Sequence, residues 1–211
     1  MYDIIIPSCK PYVDVNIFTS LIKQFDPQCS NYNYIPTGFQ VSASINRNYG
    51  LLKSFQSNNE FIIMIDDDIG GFYEGWQNDL IQPLKDDKNV SISSARLLTE
   101  YGHLSPMNGP DTDIDKPLSI CKNMVLSAAI AFRKADIIQN NQLRFCMKMI
   151  GSGWEDTLFC KLFNKVYPEG KFVVNNNCRL IHFHEMKKQS EYFDYNRKVY
   201  LSELKKVGLH E

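Results

Sequence analysis

The apolar positions of this chain follow two periods. "YDIIIPS" (2–8) and "EFIIMI" (60–65) are short, nearly continuous apolar runs, the pattern of strands buried on both faces. Elsewhere apolar residues recur at helical spacing. Phe18, Leu21, Ile22 and Phe25 predict a helix closed by Pro27, and Leu51, Leu52 and Phe55 predict one that starts near Asn46. Trp76, Leu80, Ile81 and Leu84 mark a third helix, and Leu158, Phe159, Leu162, Phe163 and Val166 a fourth, after "GSGWED". "NVSISSARLL" (89–98) alternates as a strand, and "MVLSAAIAF" (124–132) is a further apolar one. "KFVVNN" (171–176) and "CRLIHFH" (178–184) predict two late strands, and Tyr192, Tyr195, Val199 and Leu204 a C-terminal helix. Two stretches lack a period. "NYNYIPTGF" (31–39) reads as a short strand and a turn. Residues 99–119, with Gly102, Pro106, Gly109, Pro110 and Pro117, read as a long loop of the kind that often carries function. Strands and helices alternate through the first half, which predicts an α/β fold on a mainly parallel central sheet flanked by helices. With no internal repeat and no linker, residues 1–211 read as one domain.

Composition narrows the class. The 211 residues suffice for one sizeable core, and 44% hydrophobic with 22% charged residues is ordinary for a globular protein. A net charge of −1 gives no overall field to recruit nucleic acid. No apolar run approaches a membrane span, and residues 1–30 lack the basic start and long apolar stretch of a signal peptide. Six cysteines, at 9, 29, 121, 146, 160 and 178, form no C-x-x-C pair, so reduced core thiols and a cytoplasmic location are expected. Lys187, Lys188, Arg197, Lys198, Lys205 and Lys206 lie among tyrosines, a pattern that can bind nucleic acid. Glu191, Asp194 and Glu203 interrupt them, and the stretch reads as an ordinary solvated helix.

Three constellations carry candidate chemistry. In "FIIMIDDDI" (61–69) an apolar strand runs into Asp66, Asp67 and Asp68. In α/β sheets ligands bind beyond the carboxyl ends of strands. Continued strand alternation would place Asp66 and Asp68 on one side and Asp67 on the other. Adjacent buried carboxylates repel, and they suit Mg²⁺ or Mn²⁺; a solvated acidic turn is the plain alternative. "GSGWEDTLFCKLF" (151–163) puts Glu155 and Asp156 at a helix start, where the dipole favours carboxylates, behind a glycine-rich loop in which Trp154 can wall a ligand. Alone the pair reads as a plain helix N-terminus; the large apolar Trp154 beside it points to a ligand site with an acid able to reach a reacting proton. "LIHFHE" (180–185) places His182 and His184 on one side of a strand, as imidazole metal ligands or as structural histidines.

In this order the three pieces resemble the GT-A glycosyltransferases, in particular the large family-2-like group. "DIIIPS" is similar to that family's first strand, "SASINRNYGL" to its Arg-Asn-x-Gly segment through Arg47, Asn48 and Gly50, and "GWQNDLIQPLKDDKNVSISSARL" to the helix and strand after its Asp-x-Asp motif. "AAIAFRKADI" and "LRFCMKMIGSGWEDTLF" resemble the run into its Glu-Asp helix, so the likeness covers nearly the whole chain. The resemblance implies a single GT-A (Rossmann-like) domain, with residues 1–98 binding a nucleotide sugar and residues 99–211 the acceptor. It further implies Mn²⁺ or Mg²⁺ as cofactor, with Asp68 and one of His182 or His184 as ligands, His184 preferred, and Asp66 supporting the metal or touching the donor. Pro7 and Ser8 would lie beside the nucleoside. Arg47, Asn48, Asp67 and Trp154 would complete the donor pocket, although Asn48 also suits a helix cap.

The implied reaction transfers a sugar from a nucleotide-diphosphate donor, foremost a UDP-sugar, to an acceptor hydroxyl with inversion. Asp156 would be the general base, and Glu155 would position the acceptor or Asp156. The acceptor could be a glycan, a protein, a lipid or a modified nucleic-acid base. One departure stands out. Cys29 to Val41 holds no Asp or Glu, where the family carries an acidic pair that reads the base. Two other classes fit parts of the pattern: a metal-dependent nucleotidyl or phosphoryl transferase, against which the lack of a Walker-type lysine loop weighs, and a non-catalytic nucleotide-sugar-binding module.

Overall fold

In the computed structural model, the structure is described for residues 1–8, 29–36, 42–105, 113, 115–121, 124–125, 127–183 and 191–210, with the backbone alone for 29–36. The predicted helix over Phe18–Phe25 lies outside the described residues, as do His184, Lys187 and Lys188. The described strands are β1 (Tyr2–Ser8), β2 (Cys29–Pro36), β3 (Phe61–Ile65), β4 (Ile69–Gly70), β5 (Val90–Leu98), β6 (Leu118–Cys121), β7 (Ala129–Arg133) and β8 (Lys171–His182). They form one sheet in the order β2-β1-β3-β7-β5-β8-β4, with β6 on β8. The helices are α1 (Ala43–Ser54), α2 (Trp76–Asp86), α3 (Lys134–Ile138), α4 (Glu155–Val166) and α5 (Phe193–Lys206). No helix among the described residues is long and apolar enough to cross a membrane.

The α/β architecture is as expected, but the sheet is mixed. β1 pairs in parallel with β2 and β3, and β5 with β8, whereas β7 runs antiparallel to both β3 and β5. The reason is local. Residues 127 and 128 enter from the carboxyl edge, where Asp66 N donates to Ala128 O at 2.8 Å, so β7 must run back down the sheet. It starts at Ala129, five residues after the predicted onset at 124. The two predicted late strands are one strand, β8. Its register against β5 slips between Ala95 and Arg96, and a bulge near Asn176–Cys178 absorbs the polar residues that looked like a break. The end of the predicted 99–119 loop belongs to β6.

Core residues cover both faces of the sheet. Met64, Ile92, Phe132 and Phe172 pack with Leu158, Phe159 and Phe163 of α4 on one face. Ile63, Ile65, Ala131, Leu97 and Leu180 pack with Trp76 and Leu80 of α2 on the other. The continuous burial of β1 and β3 explains their unbroken apolar runs. Helix α1 begins at Ala43, three residues before the expected start at Asn46. It lies so close to β1 that a Cβ on Gly50 would sit 2.2 Å from Ile5 Cγ2, and this approach brings Asn46 and Arg47 to the end of β1.

Candidate active site

The carboxyl ends of β1 and β3 and the N-terminus of α4 meet around one guanidinium. Arg47 is 4% exposed. Its Nη2 donates to Asp66 Oδ1 at 2.9 Å and Oδ2 at 3.2 Å, and its Nη1 donates to Glu155 Oε1 at 3.1 Å and Asp156 Oδ1 at 3.4 Å. The Phe145 ring centre lies 5.3 Å from the guanidinium carbon. Arg47 thus ties the two acidic motifs into one cluster.

Three carboxylates face this one cation, and two of them, Asp66 and Glu155, are raised. Burial pushes the Asp66 carboxyl up to about 6; Arg47 opposes the rise, and Asp68 and Asp156 add to it. Burial and the neighbouring Asp156 push Glu155 up to about 7 against the pull of Arg47. For Arg47, burial works against the charge, but Asp66, Asp156 and Glu155 outweigh it and the guanidinium is held above its ordinary range.

The Glu-Asp pair is placed by two residues that no local sequence pattern marks. Ser127, buried just before β7, donates its backbone N–H to Asp156 Oδ2 at 3.2 Å and its hydroxyl to Asp156 Oδ1. Asn196, fully buried on α5, accepts from Ile150 N at 2.9 Å and donates to Ile150 O at 2.8 Å and Ser152 O at 3.3 Å. These bonds fasten the loop leading into α4. At its end Trp154 has φ 70°, the one left-handed backbone outside glycine among the described residues, a strain of about 1–3 kcal/mol. Phe193 and Tyr200 pack on its ring at 5.3 and 5.0 Å, so Trp154 braces the start of α4 against α5. The separation of these partners, 29 residues for Ser127 and about 45 for Asn196, put them beyond any motif.

The three aspartates diverge. Alternation ends at Ile65, and the chain turns so that Ile69 N donates to Asp66 O at 3.2 Å. Asp66 faces Arg47, Asp67 Oδ2 accepts from the Ser8 hydroxyl, and Asp68 Oδ1 lies 3.3 Å from His182 Nε2. Residues 66–68 are a turn and not strand, so strand alternation does not set their directions, although Asp68 still lies near enough to Asp66 to raise its carboxyl. Pro7 and Ser8 close β1, and Asn46 Nδ2 donates to Ser8 O at 3.1 Å. Asn48 sits inside α1, so it does not cap the helix. Its amide donates to Phe145 O at 2.7 Å and accepts from Phe145 N at 3.0 Å, committing it to the loop beneath Arg47.

The pairing of Ile69 with His182 carries the Asp68–His182 contact. A carboxylate oxygen and an imidazole nitrogen at this spacing suit neighbouring positions around one Mn²⁺ or Mg²⁺ ion, so the residues present fit a divalent cation as a two-donor start. Among the described residues no third His, Cys, Asp or Glu completes a set, and His184 is outside them.

No family model matches the sequence. No curated protein sequence matches it either. Solved structures do match. TarS from S. aureus superposes with a TM-score of 0.63 at 15% identity over 96% of this chain and 39% of TarS. GalNAc-T7, crystallised with UDP, GalNAc and Mn²⁺, gives 0.64 at 11% identity over 95% of this chain and 48% of that one. Glucosyl-3-phosphoglycerate synthase from Mycobacterium tuberculosis, with Mn²⁺, UDP-glucose and phosphoglyceric acid, gives 0.60 at 12% over 100% and 81%. The fold is GT-A. The chain spans 39% of the longer TarS chain and 60% of its residue 1–349 fragment. Within the GT-A frame, the Asp66–Asp68 turn, the Glu155–Asp156 helix start and the His182 strand end all lie at the carboxyl edge of the sheet.

Proposed function

We propose that this chain is a nucleotide-sugar-dependent glycosyltransferase that moves a sugar from a UDP-sugar to an acceptor hydroxyl with inversion. The observation that carries the reading is the convergence of both acidic motifs on Arg47 at the carboxyl edge of a GT-A sheet. It is supported by fold neighbours crystallised with UDP, UDP-GlcNAc, or UDP-glucose and Mn²⁺.

Asp68 and His182, with His184 beyond them in sequence, would hold the divalent cation, which when bound supplies positive charge against the departing diphosphate. Asp67, fixed by Ser8, and the end of β1 would line the nucleoside side. Asp156 is the general base in this reading. Its side chain is 15% exposed, against 5% for Glu155, so it is the acid of the pair that an acceptor hydroxyl can reach. Ser127 and Arg47 hold its carboxylate in one orientation, and Glu155 stays behind it as the partner that keeps Arg47 in place.

The test is UDP release from UDP-GlcNAc and UDP-glucose with Mn²⁺, alongside thermal shifts for the same ligands, since a ligand bound to the native state raises its melting temperature. Asp156→Asn keeps the shape and removes the proton acceptor. We expect donor-induced stabilisation to persist and turnover at saturating donor to fall about a hundredfold or more. Turnover near the parent rate would remove Asp156 from the role of base. No thermal response to any UDP-sugar would remove the donor assignment.

A further inference from the structure

We infer that Arg96 and Arg179 form an anion subsite on the acceptor side of the site, so that the acceptor carries a phosphate or carboxylate group. The inference rests on the glycosyltransferase reading for the word acceptor; the subsite itself stands on the geometry of the sheet.

Arg96 near the end of β5 and Arg179 near the end of β8 are direct register partners on parallel neighbours. They share a face. Ile92 pairs with Phe172 and both belong to the core cluster packed under α4, while Leu97 and Leu180, one residue past the arginines, pair on the opposite face. Pairing also places them in one row with Asp66. Asp66 N bonds to Ala128 O, and Ser94 of β5 pairs with Ile130 of β7, so position 96 falls opposite position 128. Arg96 is therefore two strands and Arg179 three strands along from Asp66, about 10 and 14 Å at a spacing of about 4.8 Å per strand.

Two cations directly in register repel. Other arginines in this molecule are matched: Arg47 by three carboxylates, and Arg133 by the backbone carbonyls of Leu84, Asp87 and Val90. Among the described residues neither Arg96 nor Arg179 makes an ion pair. Among the described residues, Arg96 Nε is buried without a hydrogen-bond partner, and the one bond of Arg179 is from Nε to Asn176 O at 3.2 Å. A buried donor left unmatched costs free energy that an oxyanion with two or more acceptors would recover. The charge pattern also orients a substrate. The acidic cluster repels an anionic group and the arginine pair attracts it, so an acceptor lies with its hydroxyl toward Asp156 and its anionic group toward β5 and β8.

The test is calorimetric titration of the full chain, in UDP and Mn²⁺, with glycerol 3-phosphate, glycerate and glycerol. Glycerol 3-phosphate or glycerate should bind and glycerol should not; which of the two binds more tightly tells phosphate from carboxylate. Arg96→Gln and Arg179→Gln should each weaken that binding about tenfold or more, the scale of a lost hydrogen bond to a charged group. Arg96→Lys should recover part of it, and UDP affinity should not change. Because Arg179 is exposed, its variant separates a binding loss from a folding loss. Anion binding that is equal in the parent and both Gln variants, or absent from the parent, overturns the subsite. If UDP itself fails to bind while the anion binds and is lost in the variants, the subsite stands and the glycosyltransferase reading falls.

Discussion

Two charge clusters, each built on a buried cation, sit at opposite ends of the same strands. At the amino end, Asp3 of β1 is fully buried and meets Lys134 of α3 at 2.8 Å. Lys134 Nζ also donates to Ser54 O at 2.7 Å and Ser57 O at 3.1 Å, while Asn59 Nδ2 and the Ser57 hydroxyl each donate to Asp3 at 2.6 Å. One carboxylate meets one ammonium, and neutral donors and acceptors fill the remaining positions. At the carboxyl end, Arg47 meets Asp66, Glu155 and Asp156 together, and burial, with the neighbouring carboxylates adding to it, lifts Asp66 to about 6 and Glu155 to about 7. Both cations are buried, but Asp66 and Asp156 of the second cluster reach the surface. One cluster is balanced and serves the fold, and the other is unbalanced in a way that stability alone would not select.

The comparison can be broken at its balanced end with the largest effect. Lys134→Met leaves Asp3 charged and unpaired in the interior, and we expect a loss of about 3–5 kcal/mol in urea unfolding. Adding Asp3→Asn should restore part of it. A loss below about 1 kcal/mol would mean that the pair is not the anchor its geometry describes.

A smaller effect sharpens the unbalanced end. Because Glu155 is raised from 4.5 to about 7, mainly by burial, the folded chain keeps a proton that the unfolded chain releases. Its stabilising contribution is complete below pH 4.5 and is lost as pH rises through about 7. Stability should therefore fall over that window, by something on the order of 1–3 kcal/mol from this residue. Asp66, raised to about 6, adds a fall of the same sign. Glu155→Gln should make the slope of stability against pH shallower; an unchanged slope would assign the protons elsewhere.

The smallest effect marks the exposed limit. Lys148 and Lys206 each reach Glu203 Oε1 at 2.7 Å, but the lysine side chains are 60% and 53% exposed. Lys148→Ala should change stability by less than about 1 kcal/mol and less still in high salt, because water and ions screen such pairs. A loss near that of Lys134→Met would show that charge count, and not burial, sets these energies.

Much of this was legible before any coordinate. The apolar runs at 2–8 and 60–65 are β1 and β3 because both faces of a central strand must be apolar. The helical spacing at Trp76 and Leu158 is α2 and α4, with Glu155 and Asp156 at a helix start as read. Less legible were the places where polar residues interrupt regular structure. The asparagines at 175–177 suggested a break, yet the strand continues because Asn175 bonds to Asp79 O and Asn176 to Asp113 O and Lys116 O. The onset at 124 was early because apolar residues before β7 pack in the core without pairing.

By itself, then, the sequence determined which segments are strand or helix and which short stretches gather acids and histidines, since periodicity and motif spacing are local properties written within a dozen residues. The tertiary structure alone decided that Arg47 is shared by acids 19, 108 and 109 residues away, that Ser127 and Asn196 hold the Glu-Asp helix start, and that Arg96 and Arg179 stand side by side. Those relations depend on strand order and register, which are set by how the whole sheet buries its two faces, and no single stretch of chain carries that information.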